Sequence, residues 1–206
     1  MELVSWAFTD LDDMKRFLSI AETDTGSDDL LVTLVNRASS FIETYTDRRL
    51  AVASYSSIAD EENCWYDGDG TKTVHLKQYP ANSVSSVTSS GATISPATSV
   101  DYYGSTGYLL YKLRGELFYD NGWTVGKKNV RVSYNAGYLT TSREWQELQE
   151  LCRSLVARVY NQRAKYGFRS ETLMNYRYTL SDLKDERGGI GSLQQTLDRY
   201  RRKIIK

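Results

Sequence analysis

A single histidine, His75, serves the whole chain of 206 residues. Any catalytic triad or imidazole base would have to use it. Yet it falls inside the alternating run Lys72 to Gln78, between Val74 and Leu76, and no nucleophile-elbow sequence occurs anywhere. Cysteine is almost as scarce. Cys64 and Cys152 make neither a disulfide framework nor a CxxC pair, and Cys152 lies on a helical apolar stripe, which predicts a buried free thiol. No apolar run approaches the roughly 20 residues needed to span a bilayer. The opening Met1-Glu2-Leu3-Val4-Ser5-Trp6 lacks the basic-then-apolar layout of a signal peptide, so the expectation is a protein made and assembled in the cytoplasm, away from membranes. A P-loop, a G-x-G-x-x-G run and zinc-ligand spacing are all missing. Asp67-x-Asp69-Gly70 imitates the start of a calcium loop, but Lys72 stands where glycine is needed and Gln78 where a bidentate Glu is needed. A tight turn between two strands explains those Asp and Gly residues better. The reading is of no catalytic residue, no cofactor, no metal site and no enzyme.

What is present is a charge gradient concealed by a net charge of zero. Residues 1–30 carry two basic and eight acidic side chains, and residues 143–206 carry fourteen basic and eight acidic. Such polarity bears on association rather than on fold: an acidic end of one copy could meet the basic end of another.

Three regions follow from periodicity. Residues 1–51 hold two helices. In the second, Leu31, Leu34, Val35, Ala38, Ile42 and Tyr45 recur at steps of three and four, with Ser27 as N-cap and Asp28 and Asp29 in the first turn. In the first, Thr9 with Asp12 makes a weak capping box, and Leu11, Met14 and Leu18 form the stripe. Residues 52–139 hold both prolines and ten of the sixteen tyrosines, and read as short antiparallel strands. Val84–Thr88, Tyr108–Leu113 and Val130–Tyr134 are strand candidates, Ser89-Ser90-Gly91 is a turn, and Asn121-Gly122 predicts a hairpin returning through Trp123-Thr124-Val125. Residues 140–167 form a long core helix from Arg143 to Tyr166, capped by Ser142 and ended by Gly167, with Trp145, Leu148, Cys152, Leu155, Val156 and Val159 on one face. Residues 168–206 form an extended segment, a joint at Gly188-Gly189-Ile190-Gly191, and a last helix from the capping box Ser192-x-x-Gln195. The fold class is therefore α+β, a helical bundle core with an inserted antiparallel β-rich lobe and a C-terminal docking helix.

Four stretches in order resemble the head–tail connector (head-completion adaptor) proteins of tailed bacteriophages. They are Thr9 to Leu18, with Lys15 between; Asp28 to Leu50, with Ala38-Ser39, Phe41-Ile42-Glu43 and Tyr45-Thr46; Tyr66-Asp67-Gly68-Asp69-Gly70 leading to Tyr79-Pro80; and Val130 to Tyr138, ending Ala136-Gly137-Tyr138. The resemblance covers residues 8–180 and is weak at the C-terminal end. It implies a structural virion protein at the head–tail interface, or neck, assembled in the host cytoplasm as a homo-oligomeric ring of twelve copies. By the same resemblance the ring would sit below the portal protein, extend the channel for the genomic DNA, and offer a platform to a stopper or tail terminator protein. It also implies that a C-terminal segment docks on the portal. Here that role would fall to Leu193, Leu197, Tyr200 and Ile204 as apolar anchors, exposed in the free subunit, with Arg199, Arg201 and Arg202 pairing with carboxylates. A second reading is a sequence-nonspecific nucleic-acid-binding protein that uses the basic C-terminal helix. Against it stand an isoelectric point near 6.6 and the acidic N-terminus.

Overall fold

A computed structural model of the protein describes residues 2–97, 106–163 and 190–202. It is α+β. In chain order the helices are α1 (Leu11–Phe17), α2 (Asp28–Thr46), α3 (Glu61–Cys64), α4 (Arg143–Arg163) and α5 (Ile190–Tyr200). The strands are β1 (Ala53–Tyr55), β2 (Trp65–Gly68), β3 (Thr73–His75), β4 (Ala81–Ser89), β5 (Ala92–Thr93), β6 (Tyr108–Tyr111), β7 (Glu116–Tyr119) and β8 (Gly126–Ala136). The chain divides into two units, residues 1–48 with 140–206, and residues 49–139.

The first unit is helical. In α2 the periodic residues Leu31, Leu34, Val35, Ala38 and Ile42 are buried, while Tyr45 is half-buried. α2 packs on α4, whose Trp145, Leu148, Cys152, Leu155 and Val156 are buried and whose Val159 is half-buried. The Phe8 ring meets Trp145 at 5.1 Å between centroids, and the Phe8 N–H donates to Ser39 Oγ at 3.2 Å. The Ser142 hydroxyl accepts from Trp145 N at 3.1 Å and so starts α4. Tyr166 and Gly167, expected to close that helix, lie outside the described residues.

The helix starts differ from expectation in two places. Asp10, not Thr9, caps α1: its backbone is extended and its carboxylate accepts from Asp13 N at 2.7 Å. A carboxylate one residue later is a better partner for the exposed N–H groups than a hydroxyl that is itself buried. Thr9 is 4% exposed and its hydroxyl donates to Asp13 Oδ2 instead. Ser27 stands at the N-cap of α2 without a side-chain capping bond, and its hydroxyl lies 3.1 Å from that of Tyr160. Asp28 and Asp29 in the first turn meet the positive end of the α2 dipole, and Asp28 is in turn paired from α1. Lys15, 2% exposed, reaches Asp28 Oδ1 at 2.6 Å and donates to the Glu22 carbonyl at 3.2 Å.

The second unit holds two antiparallel sheets. β8 is the spine of the larger, with β4 along one edge and β1 and β2 in tandem along the other. β5 continues from β4 through Ser90-Gly91, whose φ of 49° and 85° are those of a two-residue type I′ hairpin. The smaller sheet runs β3-β7-β6. Their shared core is Val74, Leu76, Val87, Tyr108, Leu117, Trp123, Val130, Val132 and Tyr134. The Asp-Gly run is a turn, as expected of its composition: Asp69 Oδ1 accepts from Thr71 N and Oγ1 at 2.9 and 2.6 Å, and Gly70 takes φ 81°.

The hairpin expected at Asn121-Gly122 does not form. Gly122 turns the chain at φ 77°, but Trp123 does not pair back on β7. Its backbone N–H donates to the Thr71 carbonyl at 2.8 Å and its indole N–H to the Lys72 carbonyl at 3.1 Å. Both sides of β7 are already taken by β3 and β6, and burying a whole indole outweighs two further ladder bonds.

Candidate functional site

The expected docking residues gather at one place in the helical unit, where α5 lies on α2 and close to the start of α4. α5 begins at Ile190, so Ser192 is inside the helix rather than at its cap, and Ile190 and Gly191 of the expected joint are helical. Gly188 and Gly189 lie outside the described residues, as does Ile204.

Leu197 and Tyr200 are 2% and 5% exposed, and Leu193 is half-buried. The expectation that Leu197 and Tyr200 would stand exposed in the free subunit is thus corrected. Their stripe meets α2 within the same chain, which spares it from water. Polar ties fix both flanks of the seat. The Tyr45 hydroxyl donates to Asp198 Oδ1 at 2.6 Å. The Tyr200 hydroxyl donates to Glu147 Oε2 at 2.8 Å, and Arg199 Nη2 reaches the same oxygen at 3.4 Å. Arg48, 4% exposed, donates from Nη1 to the Tyr200 carbonyl at 3.0 Å. Arg202 N–H donates to the Thr46 carbonyl at 2.8 Å, its guanidinium lies 3.7 Å from Asp47 Oδ2, and Arg201 stands over the Tyr45 ring at 5.9 Å.

The sequence suggests the logic of this seat only in part. α2 ends at Asp47 in the left-handed region, φ 53° and ψ 39°, so the carbonyls of its last turn turn toward solvent or a partner. The Arg202 amide fills that position on Thr46, while cationic Arg48 bonds the Tyr200 carbonyl at the C-terminus of α5, where a helix favours positive charge. Asp198 raises the Tyr45 hydroxyl above its ordinary value, mainly because the bond it accepts needs the phenol proton, with burial acting in the same direction. Glu147 is the residue sequence reasoning missed. It gathers Tyr200, Arg199 and Arg143 (3.9 Å), and with Glu144 these line a hollow of about 320 Å³. Its i,i+4 relation to Arg143 was visible in sequence, but its pairing with α5 was not.

Elsewhere the chemistry is that of packing. His75 is exposed at 42% of its side chain, with Glu116 Oε1 at 3.8 Å from Nδ1. Among the described residues no three His, Cys, Asp or Glu side chains cluster to hold a metal ion, and no helix is long and apolar enough to cross a membrane. Cys152 is a buried free thiol, pushed up to about 11 by burial, with Ser39 Oγ at 3.7 Å. The acidic N-terminus also finds partners inside the subunit: Asp13 Oδ2 accepts from Arg153 at 2.8 Å and from Gln149 at 3.0 Å.

The arrangement holds α5 on α2 and Glu147 of its own subunit. The chain belongs to the head completion protein family, whose model matches residues 7–172. It is accordingly a structural protein of the bacteriophage virion, at the head–tail interface. Among solved structures, a chain described as "Neck of empty GTA particle computed with C6 symmetry" shares the fold at a TM-score of 0.54 and 13% identity, over 100% of this chain and 95% of that one. No curated protein sequence matches the chain.

Proposed function

We propose that this chain is the subunit of a ring-shaped head–tail connector that lies below the portal, extends the DNA channel and carries the next neck or tail component. The observation that carries the reading is the family match over residues 7–172. The likeness to a neck chain determined with C6 symmetry supports a ring whose copy number is a multiple of six, and twelve copies satisfy that. The role is structural, with no chemical step.

Docking on the portal is assigned to the C-terminal segment in a form adjusted to the seat. Leu197 and Tyr200 fix α5 to its own subunit, while exposed Arg201, just past the helix, faces carboxylates of the portal. Replacing Arg201 with Glu should leave the fold intact and lower occupancy on portal-bearing heads. Unchanged occupancy would remove this residue from the docking surface.

The nucleic-acid reading loses ground at its main support. Arg199 and Arg202 already face Glu147 and Asp47, which reduces the cationic surface available there to phosphates. Salt-dependent binding of the monomer to DNA in the absence of portal would restore it.

A further inference from the structure

The chain passes from the helical unit to the β unit between Arg48 and Arg49. On the helical side the end of α5 holds this crossing. The Thr46 carbonyl accepts from Arg202 N–H at 2.8 Å, Asp47 Oδ2 lies 3.7 Å from the Arg202 guanidinium, and Arg48 donates from Nη1 to the Tyr200 carbonyl at 3.0 Å. These are three successive residues where the chain leaves α2, and Asp47 among them takes φ 53°. On the β side the holder is Gln78, which is buried. Its Oε1 accepts from Arg49 N–H at 3.1 Å, its Nε2 donates to Asn63 Oδ1 at 3.1 Å, and its own N–H donates to the Tyr134 hydroxyl at 3.3 Å.

The chain crosses back between Leu139 and Thr140, where Leu139, Thr140 and Thr141 are all exposed. Arg48 at the first crossing is buried. Hinges are short segments at the ends of elements that absorb changes of φ and ψ, and both crossings are of that kind. The first differs in taking its fixings from α5. Those fixings come from Tyr200 and Arg202, on either side of the Arg201 assigned to the portal. A partner that prefers the seated form of α5 therefore stabilises the fixed form of the crossing as well, and the coupling is reciprocal.

We infer that the end of α5 is a clamp on the hinge between the two units. Seating of α5 stiffens the passage into the β unit, and docking of Arg201 on the portal stiffens it further. The portal's part in this rests on the docking reading above, and it states what docking regulates: the platform for the next neck component firms up once the subunit has met its portal.

Limited trypsin digestion of the full chain reads the hinge at the Arg49–Leu50 bond, where an exposed Arg49 precedes a buried Leu50. Cleavage there needs the segment to open, so its rate follows the open population. Arg202→Pro removes the N–H that reaches Thr46, and Arg48→Met removes the guanidinium while keeping an unbranched stem. Each should speed the appearance of fragments beginning at Leu50 by about fivefold or more, the factor that one hydrogen bond represents. Helical circular dichroism should stay unchanged, and so should cleavage at Arg153, inside α4. Wild-type protein mixed with its portal should be cut more slowly at Arg49, and both variants should bind the portal more weakly. Wild-type rates at Arg49 in both variants overturn the clamp, as does faster cutting at Arg49 and Arg153 alike, which marks general loosening. A portal that binds without slowing the cut overturns the relay from α5 to the hinge. Faster cutting at Arg49 alone, with a wild type that does not bind the portal, upholds the clamp and overturns the docking reading instead.

Discussion

The Tyr200 hydroxyl donates to Glu147 Oε2 at 2.8 Å, which joins the C-terminal helix to the start of α4 across 53 positions of sequence. The bond accompanies burial of the ring to 5% exposure, so most of the stabilisation comes from the removed apolar surface. Tyr200→Ala should cost about 3 kcal/mol, as for other buried aromatics. Tyr200→Phe keeps the ring and should cost only about 1 kcal/mol. Denaturant melts of the three proteins decide this. Equal, negligible effects of both substitutions would show that α5 does not stay on its seat in solution.

Lys15 and Asp28 form an ion pair in which the lysine is almost wholly buried and the carboxylate is partly open to water. Lys15→Ala removes the cation, leaves Asp28 without its charge partner, and empties the space filled by the buried lysine stem. A loss of about 3 kcal/mol is expected, mainly from the uncompensated group and the cavity. Lys15→Met retains the aliphatic stem and should lose less. Urea unfolding measures both, and a Lys15→Ala protein as stable as the wild type would contradict the pairing.

Alkaline pH should weaken the fold before it damages the chain. Burial raises the Cys152 thiol to about 11, and burial with Tyr66 alongside raises the Tyr134 hydroxyl well above its ordinary value. The folded state therefore keeps protons that the unfolded chain releases from about pH 9 upward. Unfolding releases protons in that range, so stability is fully present below pH 9 and falls toward pH 11, by up to about 1.4 kcal/mol per pH unit for each such group. A stability curve flat from pH 9 to 11 would contradict this. In the folded protein at pH 8, neither cysteine should react with a thiol reagent, and both should do so in denaturant.

What the sequence made legible and what it did not divide along a physical line. The stripes of α2 and α4 are read from their spacing, because a helix face that must be buried looks the same in every context. The left-handed turn at Ser90-Gly91 is likewise local. Trp123 was not legible: Asn121-Gly122 signals a turn, but which neighbour receives the chain afterwards depends on β3 and β6 having taken both edges of β7. The same holds for α5. Leu197 and Tyr200 form an amphipathic stripe whether its partner is another protein or α2 of the same chain, and periodicity carries no information on which. Glu147 escaped notice because its partner lies in a separate element.

Glycine substitutions separate two costs at turns of the β unit. Gly115 has φ 62°, and a Cβ there would lie 2.8 Å from Tyr79 Cβ, whereas Gly91 has φ 85° with no atom within 4 Å. Gly91→Ala should cost about 1 kcal/mol from backbone strain alone, and Gly115→Ala distinctly more because the contact adds to the strain. Thermal melts of the pair test this, and equal losses would place Tyr79 elsewhere.

Electron microscopy of the purified protein mixed with its portal tests the central claim most directly. The account predicts a ring of this chain, with a copy number that is a multiple of six, seated coaxially on the portal and continuing its channel. A portal left bare at saturating protein, with the chain remaining monomeric beside it, would contradict the account.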